Sequence, residues 1–281
     1  MVGYNPTELS ELLKLLAEHK DATIYAGGTD LMVTRKFQEV VLFINQVKEL
    51  QKIEKKDGFL VLGAALTYDV LLRSEVPEMM KRVFETIASP AIRNRGTIGG
   101  NICNASPAGD TLPMWYALSA LVELQSLNES VEVSVRTVPI HDFILGIRKL
   151  DRKPGEVLTA VKIPLSVFEE NTFLYYKKVG ARRAEAISKL SIYGMASFVQ
   201  GRIDQMQVAF GAVGVTVVQP VEMPELTKGL TKAELMGKRK EITDACMKHV
   251  KPIDDQRSTA EYRKTTAERL LDDFIDRVIE V

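Results

Sequence analysis

Residues 23–31 read Thr-Ile-Tyr-Ala-Gly-Gly-Thr-Asp-Leu, an apolar run that is interrupted by two glycines. The run over residues 23–26 predicts a strand that ends at Gly27-Gly28, and helix is expected from Thr29 onward. A further strand is expected near residues 40–44. Together these elements form a compact β–α–β pattern, which favours parallel pairing of the two strands.

A helix is expected before this stretch. Asn5 can cap it, Pro6 suits its first position, and Glu8 completes a capping box. Leucines then recur at helical spacing and form one apolar face, at Leu9, Leu12, Leu13 and Leu16. The start of the chain is therefore predicted to be a small βαβ lobe.

The elements regroup along the rest of the chain. Residues 59–163 predict mixed helices and strands around an irregular, glycine-rich stretch at 89–109, and Thr67 is expected to cap a short helix. Three strands then precede two closing helices; they are expected at 173–179, 190–200 and 202–211, and at about 232–250 and 259–279. Strands followed by helices are typical of an antiparallel sheet covered by helices, so the chain is predicted to be α+β.

The first glycine pair is a candidate phosphate site. Glycine permits positive φ and lets backbone N–H groups approach a ligand without an intervening Cβ. The alternative is a strand-to-helix turn in which Thr29 or Asp30 only caps a helix. The pattern is neither the dinucleotide fingerprint nor a P-loop, because Gly-x-Gly-x-x-Gly and Gly-Lys-Ser/Thr are both missing.

A second glycine pair occurs in Thr97-Ile98-Gly99-Gly100-Asn101, and small polar residues continue through Ser106 to Asp110. A loop of this length inside a compact domain is usually functional. Two glycine pairs, each next to a threonine, could clamp a pyrophosphate from two sides. Asp110 could then accept a hydrogen bond from a ribose hydroxyl or a water, or it could cap the next helix.

Composition argues against several classes of protein. The 281 residues include 37 Lys+Arg and 37 Asp+Glu, so the zero net charge gives no argument for nucleic acid or an anionic membrane as a partner. No apolar run is long enough for a transmembrane helix. The first residues lack the features of a signal peptide, so a cytoplasmic location is expected. Two distant cysteines and three scattered histidines predict no metal site.

The two glycine motifs resemble the FAD-binding motifs of the flavoprotein subunit of molybdenum hydroxylases, the xanthine dehydrogenase and carbon monoxide dehydrogenase family. The similarity follows the chain in order and covers nearly all of it. Outside the glycine motifs it includes Leu62–Thr67, Gly155–Thr159 with Ile163-Pro164, Lys178–Arg183 with Ile187–Lys189, and Arg257–Arg263.

The resemblance implies a domain layout. A two-lobed FAD-binding domain would occupy residues 1–168, with a small βαβ lobe at about 1–55 and a larger mixed α/β lobe at 56–168. A C-terminal α+β domain at 169–281 would combine a small antiparallel sheet with helices.

The resemblance also implies site residues. The residues expected to contact FAD are Tyr25, Ala26, Gly27, Gly28, Thr29, Asp30, Leu31, Thr97, Ile98, Gly99, Gly100, Asn101, Ser106, Asp110, Leu158 and Lys178. The two glycine motifs would hold the pyrophosphate, Asp110 would lie near the ribitol or ribose, and Leu158 would lie near the ring system. Lys178 and Ile187 are the flavin-proximal candidates, although Ile187 could instead be a core residue. No side chain is expected to act as a general acid or base.

The function implied by the resemblance is electron relay. A large partner subunit would hold the molybdenum cofactor and a small one 2Fe-2S clusters, while FAD on this chain would pass electrons to NAD⁺, a quinone or another acceptor. Two alternatives stay open, a free-standing FAD-dependent oxidoreductase and an FAD-binding assembly protein without catalysis. The lack of a convergent His, Glu or Lys constellation beside the motifs argues against the first.

Overall fold

The computed structural model describes residues 1–281 and consists of short strands and helices. The strands are β1 (Val2–Tyr4), β2 (Thr23–Tyr25), β3 (Val40–Phe43), β4 (Ile53–Lys56), β5 (Phe59–Gly63), β6 (Leu121–Leu127), β7 (Val133–Pro139), β8 (Ile144–Gly146), β9 (Lys149–Leu150), β10 (Val157–Pro164), β11 (Thr172–Val179), β12 (Leu190–Val199) and β13 (Arg202–Gly211). The helices are α1 (Leu9–Glu18), α2 (Leu31–Thr34), α3 (Tyr68–Arg73), α4 (Glu78–Glu85), α5 (Pro90–Arg93), α6 (Ile98–Asn104), α7 (Leu112–Ala117), α8 (Ile140–Phe143), α9 (Glu222–Thr227), α10 (Lys232–Met247) and α11 (Ala260–Glu280).

The chain divides into two compact units that alternate along the sequence. Unit 1 comprises Met1–Val76, Ser89–Ala105 and Ser119–Pro164, and unit 2 comprises Pro77–Ala88, Ser106–Leu118 and Leu165–Val281. The second glycine motif therefore belongs to unit 1, whereas Ser106 and Asp110 belong to unit 2. Unit 1 contains three of the four sheets and unit 2 contains the fourth, and each unit has its own buried core.

The first sheet of unit 1 is parallel, in the order β1-β3-β2. Thr23 lies opposite Val41 and Tyr25 opposite Phe43, so the predicted parallel β–α–β pattern is confirmed. β1 is an addition that the sequence did not predict, because three residues are too few to show a period. The helix α1 contacts β6, and Leu12, Leu13 and Leu16 on its apolar face share a buried cluster with Leu42 of β3 and Val157 of β10.

The predicted start of α1 is wrong. The helix begins at Leu9 with Glu8 at its N-cap position, and no side chain accepts a capping hydrogen bond. Asn5 and Pro6 precede the helix because the chain is still leaving β1. Glu11 supplies a local substitute, since its carboxylate accepts a 3.0 Å hydrogen bond from the Thr7 N–H.

A five-stranded antiparallel sheet in the order β4-β5-β10-β6-β7 completes unit 1, together with the small hairpin β8-β9. The cap predicted at Thr67 is confirmed, since its hydroxyl accepts a hydrogen bond from the Val70 N–H. The stretch expected to be irregular contains the short helices α5 and α6. Ser89 and Thr97 cap these helices by accepting hydrogen bonds from the Ile92 and Gly100 N–H groups.

Unit 2 is built on the antiparallel sheet β11-β12-β13. The turn from β12 to β13 uses Gln200 and Gly201, both with positive φ, as a tight hairpin requires. α10 and α11 cover the sheet, and the core includes Ile192, Phe210 and Phe274, all fully buried. The predicted α+β class is confirmed. None of the helices is both long enough and apolar enough to cross a membrane.

Candidate phosphate-binding site and buried ion pair

The first glycine turn leaves backbone donors free. None of the N–H groups of residues 27–30 donates a hydrogen bond within the protein. Asp30 occupies the N-cap position of α2, yet its carboxylate accepts no capping hydrogen bond, so the alternative of a purely capping Asp30 is wrong. Adjacent free N–H groups in a turn form a concave set of donors that suits an anion.

The glycines of this turn are required by the fold itself. A Cβ on Gly27 would overlap the carbonyl of Arg95. Gly28 has a φ of +73°, and a Cβ on it would overlap the Tyr25 ring. Because any side chain at Gly28 would be strained as well as crowded, substitutions at these two positions would test the fold rather than a ligand.

The second glycine pair begins α6 and uses its donors differently. The Ile98 and Gly99 N–H groups donate to the carbonyls of Leu66 and Ala64, at 3.1 and 2.9 Å. A Cβ on Gly99 would lie 2.8 Å from the Ala64 side chain, whereas a Cβ on Gly100 would meet only the Thr97 hydroxyl within 4 Å. Gly99 is therefore explained by packing, whereas Gly100 is exposed and a Cβ on it would lie 2.9 Å from the Thr97 hydroxyl.

The structure brings the two glycine motifs together within unit 1. Gly27 lies against the Arg95 carbonyl, and a Cβ on Gly96 would lie 3.8 Å from the Thr29 hydroxyl. Leu158 lies in β10, which contacts α6, and its side chain is buried. The free N–H groups of residues 27–30 and the exposed backbone at Gly100 suit a phosphate group.

A second set of predicted residues meets in unit 2. The Lys178 ammonium lies 2.7 Å from the Asp110 carboxylate, which also accepts a 2.6 Å hydrogen bond from the Ser188 hydroxyl. Lys178 donates further to the Thr86 carbonyl at 2.7 Å, and the Thr86 hydroxyl is 2.7 Å from the Tyr176 hydroxyl. This buried network joins the loop before α7, the end of α4, and β11.

Burial controls the ionisation of this network. It raises the pKa of Asp110, while Lys178 and the Ser188 hydroxyl act in the opposite direction. Burial also raises the pKa of Tyr176, and the nearby Asp110 adds to the effect. Tyr176 is therefore a neutral hydroxyl at physiological pH.

The structure decides between the alternative roles that the sequence left open for Asp110 and Ile187. Thr111, not Asp110, is the N-cap residue of α7, so the capping role considered for Asp110 is wrong. Ile187 is 56% exposed, so it is not a core isoleucine. The carbonyl of Ser106 accepts a hydrogen bond from the Gly109 N–H within the same loop.

Sequence reasoning missed the roles of Thr86, Tyr176 and Ser188 in the buried network, because no local signal connects residues so far apart in the chain.

No group of three or more His, Cys, Asp or Glu side chains is arranged to hold a metal ion. Burial raises the pKa of the Cys103 thiol to about 11, which keeps it protonated. The feature of unit 1 that suits a ligand is the set of free backbone N–H groups at residues 27–30.

A glycine-lined anion site in an α+β chain is typical of a protein that binds a nucleotide cofactor through its phosphates. Residues 2–166 match the family model described as the FAD binding domain in molybdopterin dehydrogenase, and residues 175–278 match the CO dehydrogenase flavoprotein C-terminal domain. The first match alone covers more than half of the chain, so the protein belongs to the FAD-binding family of the molybdopterin dehydrogenases. The resemblance seen in the sequence is confirmed, and with it membership of an oxidoreductase family whose cofactor is FAD.

Individual relatives agree with this assignment. The chain is 29% identical over 266 residues to the glyceraldehyde dehydrogenase medium chain of Sulfolobus acidocaldarius, covering 91% of this chain and 90% of that protein. It is 32% identical over 178 residues to the xanthine dehydrogenase of Oryza sativa subsp. japonica, covering 57% of this chain but only 13% of that much longer protein. Reconstituted CO dehydrogenase from Oligotropha carboxidovorans contains a chain with a TM-score of 0.84 and 25% identity, with 96% of this chain and 94% of that chain covered.

Proposed function

We propose that this protein is the FAD-carrying subunit of a heteromeric molybdenum hydroxylase. In this role it relays electrons from 2Fe-2S clusters on a small partner subunit, through FAD, to NAD⁺, a quinone or another acceptor. A large partner subunit carries the molybdenum cofactor and the substrate. The support is a family match along nearly the whole chain, together with likeness to a relative that is named a medium chain and matched over 90% of its length. The cytoplasmic location expected from the sequence stays a prediction.

The observation that carries the FAD assignment to particular residues is the turn at residues 27–30. Its four N–H groups have no acceptor within the protein, and Gly100 of the second glycine motif is exposed. When bound, FAD supplies the ability to accept and pass on electrons singly or in pairs. The backbone N–H groups of the chain hold the pyrophosphate of FAD. The proposal also includes contacts to the rest of the cofactor, made by Leu158, Ser106, Asp110, Lys178 and Ile187.

The domain boundary near residue 168 is also proposed. The two family matches end at residue 166 and begin at residue 175, on either side of it. The compact units interleave before that point, since Pro77–Ala88 and Ser106–Leu118 group with the C-terminal part. The family matches therefore divide the chain once, near residue 168, whereas the compact units also exchange segments before that residue.

The FAD proposal is tested by a matched pair of glycine variants. Gly100→Ala places a methyl group at an exposed position of the site, 2.9 Å from the Thr97 hydroxyl, whereas Gly237→Ala places one on α10 with nothing within 4 Å. Alanine is favoured over glycine in helices, so both variants should fold, with a shift of the Thr97 hydroxyl in Gly100→Ala. Gly100→Ala should weaken FAD binding by about tenfold or more, a change of about 1.4 kcal/mol, while Gly237→Ala should not. Isothermal titration with FAD and FMN measures this, and equal affinity for the two flavins would contradict pyrophosphate recognition.

The relay proposal is tested with the purified full chain and with the complex. The chain alone should bind FAD that dithionite reduces, and it should hydroxylate nothing. The complex should contain molybdenum and iron and should turn over substrate. Robust turnover of a purine, an aldehyde or carbon monoxide by this chain alone would favour the free-standing oxidoreductase. FAD that leaves the chain during assembly of the complex would favour the assembly protein.

A further inference from the structure

We infer that Arg148 is a further binding residue for the cofactor, and that its guanidinium contacts the pyrophosphate at the turn of residues 27–30. This inference rests on the proposed FAD function and adds a cationic side chain to a site otherwise made of backbone donors. Arg148 belongs to unit 1, as do both glycine motifs.

The backbone of Arg148 is fixed beside the second glycine motif. It occupies the tight turn between β8 and β9 with a φ of +55°, in the left-handed region. Its N–H donates to the carbonyl of Ala105, the residue that ends α6, at 3.4 Å. The hairpin is thereby attached to the helix that Thr97 caps, so the same short segment fixes both Gly100 and Arg148.

The side chain of Arg148 extends to the first glycine motif. Its guanidinium lies 3.5 Å from the carboxylate of Asp30. Asp30 contributes one of the four free N–H groups of the turn. The cationic group therefore lies next to the side chain of a residue that supplies one of the backbone donors.

The contact with Asp30 is too weak to explain the position of Arg148. It is long, and the two side chains are 55% and 47% exposed. Exposed ion pairs of this kind contribute little to stability, because water and salt screen them. A guanidinium has five N–H donors in a planar fork that matches phosphate oxygens. Only the contact with Asp30 engages it, so most of its donors stay available for a ligand.

The charge of Asp30 gives Arg148 a second role at the turn of residues 27–30. A carboxylate beside the free N–H groups would repel a pyrophosphate, and the adjacent guanidinium offsets that repulsion. When phosphate is bound, the guanidinium has two anionic partners in place of one. Arg148 therefore acts toward the cofactor directly, and Asp30 is its weakly bound, exposed partner when the phosphate is absent.

The test measures FAD affinity by fluorescence titration for Arg148→Gln, Asp30→Asn and the double variant. Arg148→Gln should raise the Kd for FAD about 10- to 100-fold, the range expected for loss of charge-assisted hydrogen bonds. It should leave riboflavin, which has no phosphate, almost unaffected. Arg148→Lys should recover part of the loss, because it keeps the charge and loses the fork. Asp30→Asn should lower the Kd, since it removes a negative charge next to the phosphates.

Arg202→Gln is the matched control. Arg202 and Glu234 are also 3.5 Å apart, with exposed fractions of 57% and 54%, in unit 2. This variant should leave FAD affinity unchanged. An equal rise in Kd for Arg148→Gln and Asp30→Asn, with no further rise in the double variant, would overturn direct phosphate contact. An unchanged Kd for Arg148→Gln would overturn the inference alone, whereas a wild-type chain that binds no FAD would overturn the proposed function.

Discussion

The ammonium of Lys178 lies 2.7 Å from the carboxylate of Asp110, and the side chains are only 10% and 11% exposed. Lys178 is thus one half of a buried ion pair and not an isolated positive charge. Ser188 and the Thr86 carbonyl complete the hydrogen bonds of the two groups. Both stability and any electrostatic effect on the flavin therefore depend on the pair as a whole.

Removal of one partner should be costly. Lys178→Met leaves the Asp110 carboxylate buried without its cation, and unfolding free energy should fall by about 3–5 kcal/mol. Asp110→Asn combined with Lys178→Met should recover much of that loss, because no buried charge remains. Urea denaturation of the two single variants and the double variant measures the coupling. Lys177→Met, at the exposed neighbouring position, serves as the control, and an equally small effect of both lysine changes would contradict the buried-pair interpretation.

The same variants should separate the electrostatic roles of the pair in the FAD-bound chain. On the proposal that Lys178 lies near the flavin, Lys178→Met leaves a net negative charge that disfavours reduced, anionic flavin, so the reduction potential should fall. A fall on the order of 30 mV would correspond to about 1.4 kcal/mol for a two-electron couple. The double variant removes both charges and should return the potential toward the wild-type value. Spectroscopic redox titration checks this, and identical potentials in all variants would mean that the pair acts only on the fold.

Acid stability should depend on Glu156. Burial raises the pKa of this carboxyl, but hydrogen bonds from Arg136 and the Lys153 N–H prevail and hold it below its usual value of 4.5. A depressed pKa means that the stabilisation is present above pH 4.5 and is lost as pH falls below it. The difference in unfolding free energy between wild type and Glu156→Gln should therefore shrink below pH 4.5. Thermal denaturation from pH 3 to 7 measures it, with exposed Glu75→Gln as the control.

Local signals in the sequence were sufficient for much of the fold. Thr67 is followed by a helical pattern and caps it, and the strand at residues 202–211 and the final helix show clear periods. β1 is too short to show a period and is held only by its partner β3. α5 and α6 were missed because each is only one or two turns long. Short elements depend on tertiary contacts, which a single sequence does not display.

Parts of the candidate site could likewise be predicted from the sequence, and other parts could not. Each glycine motif is contiguous in sequence, so the turn at residues 27–30 could be proposed as a phosphate site from the sequence alone. The contact of Asp110 with Lys178 joins residues that are 68 positions apart, and the contact of Arg148 with Asp30 joins residues 118 apart. Neither spacing has a periodic signature. The fold alone places these side chains together, so only the structure could pair them.

Two buried tyrosines in unit 2 should respond in opposite directions to loss of the hydroxyl. The Tyr193 hydroxyl is buried and has no hydrogen-bond partner, whereas Tyr175 donates a 2.5 Å hydrogen bond to Asp273. Tyr193→Phe should raise the free energy of unfolding by about 1 kcal/mol, because it removes an unsatisfied polar group. Tyr175→Phe should lower it by about 1.5 kcal/mol. Urea denaturation compares the two, and a loss of stability in Tyr193→Phe would show that its hydroxyl has a partner such as a buried water.

Ile187 should affect access to the flavin and not the stability of the fold. Its side chain is exposed, and the next residue, Ser188, is held by Asp110 at 2.6 Å, so the end of this segment is anchored. Ile187→Ala removes apolar surface that is already in water, and unfolding free energy should stay within about 0.5 kcal/mol of wild type. If Ile187 screens one face of the flavin, loss of the branched side chain should change the rate of reoxidation by oxygen more than the Kd for FAD. Val199→Ala alters a similarly exposed residue of unit 2, and it should change neither the reoxidation rate nor the Kd for FAD. Stopped-flow reoxidation of the reduced, FAD-bound chain measures the effect, and equal rates for all three proteins would leave Ile187 as a surface residue without a role at the flavin.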